Sequence, residues 1–90
     1  MSTVRIPPVL RASALGEKQV DIEGATVREV LDALVSRYPA LRPHLLGSDG
    51  DLNRFVNVYV DGQDVRYLDE LATRVRPSDT VIILPAMAGG

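Results

Sequence analysis

The stretch ATVREVLDALVSRYP, residues 25–39, carries the clearest helical pattern of the chain. Its apolar residues recur at helical spacing and form one stripe, made of Val27, Val30, Leu31, Leu34, Val35 and Tyr38. Thr26, with Glu29 three residues later, has the spacing of a capping box, and Pro39 disfavours helical geometry at Tyr38. The pattern predicts a single long helix that must bury this stripe against a sheet, because the other segments are short.

Five short segments have the patterns of β-strands. TVRIP and LGEKQVDIEG predict two strands joined as a hairpin, and RFVNVYVDGQDVR predicts a second hairpin whose Asp61-Gly62 turn suits positive φ. The continuous apolar run TVIILP is typical of a strand buried on both faces in the centre of a sheet. Between these strands, LDELATRV predicts one helical turn, and residues 40–53 predict a loop with a short turn around residues 41–46.

The predicted order is strand, strand, helix, strand, strand, strand. This order predicts an α+β chain with the β-grasp (ubiquitin-like) plan, in which a mixed sheet of four to five strands packs on one main helix. The first and last strands would lie side by side and parallel. Ninety residues form one domain, which we assign to residues 1–85, and residues 86–90 are expected to form a flexible C-terminal Gly-Gly tail.

Composition and charge exclude several function classes. The chain is 46% hydrophobic with a net charge of −2 and no basic run, so we expect a folded protein without a nucleic-acid partner. It has no cysteine, which excludes disulfides, thiolate metal sites and thiol nucleophiles. The longest apolar run, residues 81–88, is too short for a membrane span, and the first ten residues lack a signal-peptide core. We therefore expect a cytoplasmic protein that does not bind membranes.

Side chains suited to catalysis or metal binding are few. His44 is the only histidine and lies in a Pro-flanked loop without a serine or acid at a diagnostic spacing, so we interpret it as solvated. Asp49, Asp51 and Asn53 imitate the first ligands of a calcium loop, but Arg54 stands where the sharp-turn glycine belongs. We predict no catalytic residue, no metal and no bound cofactor, and hence a protein that is not an enzyme.

The last five residues, AMAGG, carry the main functional candidate. They follow Pro85, which ends the last strand, and can extend up to roughly 16–18 Å. Gly89 and Gly90 have no Cβ, so their backbone can enter a narrow slot and deliver the α-carboxylate of Gly90 as the reactive group. The residues expected to thread a partner's active site are Ala86, Met87, Ala88 and Gly89. The alternative interpretation is a frayed chain end.

Two aromatic residues suggest a docking surface beside this tail. If Val56, Val58 and Val60 face the helix, Phe55 and Tyr59 project from the opposite face of the sheet. Aromatic side chains on an exposed sheet face favour protein binding. The alternative is that the preceding loop folds over both rings and makes them part of the core.

The segment VIILPAMAGG resembles the C-terminus of the ubiquitin-like sulfur carriers of the MoaD/ThiS family. That family includes the small subunit of molybdopterin synthase, the thiamine sulfur carrier and the cysteine-forming carrier of actinobacteria. RFVNVYVDGQDVR and LATRV are similar to the cysteine-forming branch, and the likeness spans nearly the whole chain. Ala86, where molybdopterin-synthase subunits often have a second proline, and the long loop 39–54 favour that branch or a relative in a secondary-metabolite pathway.

The resemblance implies a mechanism and a set of partners. An adenylyltransferase of the ubiquitin-activating type would use ATP to form a mixed anhydride at Gly90, and a sulfur donor would displace AMP to leave a thiocarboxylate. The carrier itself would bind no cofactor. A downstream synthase would accept the sulfur for cysteine, a cofactor or a secondary metabolite, and a metalloprotease would release the product.

Three alternatives to this mechanism stay open. The chain could be a ubiquitin-like modifier conjugated through Gly90, although its single lysine, Lys18, argues against self-linked chains. It could also be the small subunit of molybdopterin synthase. A third possibility is a β-grasp subunit whose tail only plugs into an enzyme and regulates it.

Overall fold

A five-stranded mixed sheet organises the computed structural model, which describes residues 1–85. The strands are β1 (Ser2–Arg5), β2 (Gln19–Ile22), β3 (Val56–Val60), β4 (Gln63–Asp64) and β5 (Thr80–Pro85). Their order across the sheet is β2-β1-β5-β3-β4. The β1–β5 pair is parallel and the other pairs are antiparallel. The predicted fold class, the parallel first and last strands and the central position of the last strand are confirmed.

The main helix, α1 (Val27–Arg37), begins and ends where the sequence predicts. Thr26 Oγ1 accepts a hydrogen bond from the Glu29 amide at 3.2 Å, and Glu29 Oε1 accepts one from the Ala25 amide at 3.0 Å. The capping box therefore satisfies the Glu29 amide, which the first helical turn leaves without an intrahelical partner, and the amide of Ala25, which precedes the cap. The predicted helix and its cap are confirmed.

The connections contain shorter helices. A second α-helix, α2 (Arg42–Leu45), follows a 3₁₀ turn within the segment predicted as a loop. The four 3₁₀ segments are Pro8–Ala14, Pro39–Leu41, Val65–Tyr67 and Glu70–Ala72. The first of them joins β1 to β2, so these two strands form an antiparallel pair with a wide connection rather than a tight turn.

The hydrophobic core lies between α1 and one face of the sheet. The stripe of α1 is buried together with Val4 of β1, the three valines of β3, and Val81 and Ile83 of β5. On the opposite face, Ile82 is half-buried and Leu84 is 44% exposed. The prediction that β5 is buried on both faces is therefore wrong, because no second layer in residues 1–85 covers the outer face of the sheet.

Candidate functional site

An apolar surface lies on the outer face of the sheet, where β5 and β3 run side by side. The strand register places Tyr59 opposite Ile82 and Asn57 opposite Leu84. Side chains of directly opposed residues lie close enough to contact each other. Tyr59 and Ile82 are half-buried, whereas Leu84 is exposed, so this apolar surface remains partly open to solvent.

Phe55 extends this surface to the end of the sheet from which the tail leaves. It directly precedes Val56, which pairs with Pro85, the last described residue. Phe55 is 63% exposed, and the guanidinium carbon of Arg54 lies 5.1 Å from the centroid of its ring. The preceding loop therefore does not bury Phe55. We call Phe55, Tyr59, Ile82 and Leu84 the outer patch.

The sequence interpretation named two members of the outer patch and missed the other two. Phe55 and Tyr59 stood out as aromatic residues in an alternating strand. Ile82 and Leu84 lie in a continuous apolar run, and such a run favours burial on both faces rather than exposure. Their exposure becomes visible only when the register with β3 and the uncovered outer face are known.

Arg66 holds the segment that carries Phe55. Its Nη1 donates to Asn57 Oδ1 at 2.7 Å, and its Nη2 donates to the carbonyls of Val56 at 2.8 Å and Asn53 at 3.2 Å. The fork of donors on one guanidinium thus fixes the start of β3. These partners lie 9 to 13 residues away along the chain, and no local sequence pattern indicates them.

His44 and the acidic residues of the loop before β3 form no catalytic group in the described part of the chain. His44 is exposed on α2. Asp49 Oδ1 accepts the Asp51 amide at 3.0 Å, as in a polar turn. Within residues 1–85, no cluster of three or more histidine, cysteine or acidic side chains is arranged to hold a metal ion.

The predicted sulfur-carrying residue and the predicted threading residues lie outside the described residues. These are Gly90 and, before it, Ala86, Met87, Ala88 and Gly89. The structure does establish where they are attached, since Pro85, the last described residue, lies in the central strand β5.

Among residues 1–85, Asp79 is the one carboxylate with a clearly perturbed ionisation. It lies just before β5, at the end of that strand opposite to Pro85. Only 4% of the residue is exposed. Its Oδ2 accepts the Arg76 amide at 2.8 Å, and its Oδ1 lies 3.4 Å from Arg76 Nη2. The amide hydrogen bond and the guanidinium lower the pKa of Asp79, although burial acts in the opposite direction. Asp79 is therefore an ionised anchor of the turn and not a proton donor.

None of the helices in residues 1–85 has the length and apolar content needed to cross a bilayer. The longer of the two α-helices has 11 residues.

The strand order and the packing on α1 are those of a ubiquitin-like protein of the β-grasp class. The sequence model of the ThiS family matches residues 4–90. This chain belongs to the ThiS family, as the resemblance of its last strand and Gly-Gly segment predicted.

Within this family, the chain is similar to proteins named CysO. The sulfur carrier protein CysO of Mycobacterium tuberculosis is 43% identical over 90 residues, covering 98% of this chain and 97% of that protein. A chain in the crystal structure of the Amycolatopsis orientalis BexX/CysO complex is 44% identical, with a TM-score of 0.91 and 100% of both chains covered. The predicted similarity to the CysO-like branch is confirmed.

A relative with a different name is also similar. Small archaeal modifier protein 3 of Haloferax volcanii is 38% identical over 68 residues, covering 76% of this chain and 73% of that protein. The names of these relatives describe carriers and modifiers rather than catalysts.

Proposed function

We propose that this chain, a sulfur carrier of the CysO type, carries its sulfur as a thiocarboxylate on Gly90. A Gly90 carboxylate oxygen attacks the α-phosphate of ATP in the activating enzyme, and pyrophosphate leaves. A sulfur donor then attacks the acyl carbon, and AMP leaves with its oxygen. The observation that supports this proposal best is the likeness to CysO over essentially the full length of both chains.

The arrangement of the strands suits delivery of the tail. β5 is central and is paired on both sides, with β1 in parallel and β3 antiparallel. Pro85, the last described residue, pairs with Val56 and is therefore fixed relative to the rest of residues 1–85. From Pro85, the next five residues have an extended length of up to roughly 16–18 Å. We propose residues 1–85 as the handle and residues 86–90 as the part that enters a partner.

The outer patch is our candidate for the docking surface. It is apolar, and it includes the exposed residues Phe55 and Leu84. It lies beside Pro85, from which the tail continues. A partner that receives Gly90 must approach this end of the domain. We propose that the activating enzyme and the downstream synthase use the patch in turn, as does a metalloprotease that releases the product.

A second candidate function is conjugation to other proteins. The similarity to a small archaeal modifier protein favours it. The chemistry up to the adenylate is shared, after which a lysine amine would attack the acyl carbon and AMP would leave. The product would be an isopeptide instead of a thiocarboxylate.

One incubation separates these functions. The full chain is mixed with its cognate activating enzyme, ATP and sulfide, with and without a clarified lysate as a source of acceptor proteins. Intact-protein mass spectrometry should show one oxygen-to-sulfur exchange, located on the C-terminal peptide. Isopeptide products with no thiocarboxylate would favour the modifier. An unmodified chain in a stable complex would favour a regulatory subunit.

A further inference from the structure

A cleft of about 210 Å³ lies between the end of β1 and the end of β5. The apolar residues that line it include Pro8, Ile82 and Leu84. The charged residues that line it are both arginines, Arg5 and Arg11, and no acidic residue of the described chain lines it. A cleft of this composition favours a ligand that combines a negative charge with an apolar stem.

The two arginines are available for binding. Arg11 is half-buried, and its Nε donates to the Ile6 carbonyl at 3.1 Å, which fixes the direction of the side chain. Within residues 1–85, the terminal nitrogens of Arg11 make no hydrogen bond, and the ion pairs involve only Arg28 and Arg76. Arg5 is exposed and has no side-chain hydrogen bond to this part of the protein. A guanidinium held in this way matches the two oxygens of a carboxylate.

We propose that the Arg5–Arg11 cleft binds an aspartate or glutamate side chain of the enzyme that activates the tail. This inference rests on the proposed function, because it assigns the partner of the same surface. Ile82 and Leu84 belong both to the cleft and to the outer patch, so a protein docked on the patch also covers the cleft. The docked protein and the apolar lining of the cleft then exclude water from the ion pair, which strengthens the pair relative to an exposed one.

The carboxylate of Gly90 is the competing occupant. Folding the tail back onto the cleft would order five residues, at a cost in conformational entropy of about 1–2 kcal/mol for each. It would also hide the group that the proposed function must deliver. Continuity with the outer patch therefore favours the partner's side chain.

The test uses three charge reversals in the full chain. Arg11→Glu and Arg5→Glu alter the cleft, and Arg74→Glu is the matched control, since Arg74 is exposed and lines a different cavity with Asp79. Initial rates of pyrophosphate release by the cognate activating enzyme are measured against carrier concentration. Both cleft variants should raise KM about 10-fold or more and leave kcat within about twofold. Arg74→Glu should match wild type in both constants.

Each other outcome has a defined meaning. A wild-type KM in both cleft variants would overturn the proposed role of the cleft but leave the proposed function intact. Absence of adenylation of the wild-type chain would overturn both proposals. An equal rise of KM in all three variants would indicate long-range charge effects instead of a cleft. Faster activation of Arg11→Glu would assign the cleft to the chain's own Gly90. Arg5→Glu keeps the test valid if Arg11→Glu, which loses its bond to Ile6, unfolds.

Discussion

Phe55 combines high exposure with a fixed backbone position. Its amide donates to Asn53 Oδ1 at 2.8 Å, and Arg66 holds the residues on both sides of it. Phe55 as a whole is 63% exposed, so little of its surface contributes to the core. An exposed aromatic on a well-fixed backbone is suited to binding, because a partner gains apolar contact without having to order the segment first.

Replacing Phe55 with alanine should therefore affect activation and leave stability nearly unchanged. We expect KM for the activating enzyme to rise about 10-fold, as for an aromatic anchor at an interface, and the free energy of unfolding to fall by less than about 1 kcal/mol. Tyr67→Ala is the control, since Tyr67 is 88% exposed but does not belong to the outer patch. Loss of about 3–5 kcal/mol of stability would instead assign Phe55 to the core.

Asp79 predicts a pH dependence of stability. Its folded-state pKa is lowered by the Arg76 amide and guanidinium. Its contribution is therefore fully present above the unfolded-state pKa of about 3.9 and is lost as the pH falls through the lower folded-state value. Asp79→Asn keeps an acceptor oxygen but removes the charge, so it should cost about 1–2 kcal/mol at pH 7. Urea unfolding at pH 7, 5 and 3 should show this difference shrinking towards acid, and a constant difference would contradict the assignment.

At the scale of the elements, α1 depends on its local cap as well as on its buried stripe. Thr26→Ala removes the acceptor of the Glu29 amide and should lower the free energy of unfolding by about 1 kcal/mol. Thr26→Ser retains the hydroxyl and should remain close to wild type. The backbone hydrogen bond from Val27 to the Thr73 carbonyl is kept in both variants. Equal urea midpoints for the two variants would show that the hydroxyl does not stabilise the helix.

The elements that the sequence predicted well are those whose determinants are local. The stripe and capping box of α1 lie within one stretch, and the turn at Asp61 and Gly62 has the positive φ values, 48° and 85°, that its residue types suggested. The prediction for the outer face of β5 was wrong because an apolar run has the same sequence pattern whether it is buried or exposed. The Arg66 fork and the Arg5–Arg11 cleft join distant segments, so only the folded structure reveals them.

At the scale of the whole molecule, the sheet brings the proposed functional surfaces to one end. β1 and β5 are parallel, so the cleft at the end of β1, the outer patch and the exit at Pro85 lie together. The buried anchor Asp79 lies at the other end of β5. One end of the domain is thus available to partners, while changes to the tail beyond Pro85 should leave the core intact.

Two changes to the tail test whether its length and the absence of a side chain at Gly89 are required. Deleting Gly90 shortens the reach by about 3.3–3.6 Å and misplaces the carboxylate relative to the nucleotide. Gly89→Val adds a branched side chain where we expect the slot to be narrowest. Both variants should melt at the wild-type temperature and should not be adenylated, which pyrophosphate release measures. Normal adenylation of Gly89→Val would show that the slot tolerates a side chain.

The most direct test of the central claim is the addition of one residue after Gly90. The extension moves the carboxylate past the phosphate that it must attack, while residues 1–90 stay unchanged. After incubation with ATP, the activating enzyme and a sulfur donor, intact-protein mass spectrometry should show one oxygen-to-sulfur exchange in the wild type and none in the extended chain. If the extended chain gains sulfur as efficiently as the wild type without being trimmed, the Gly90 carboxylate is not the reactive group.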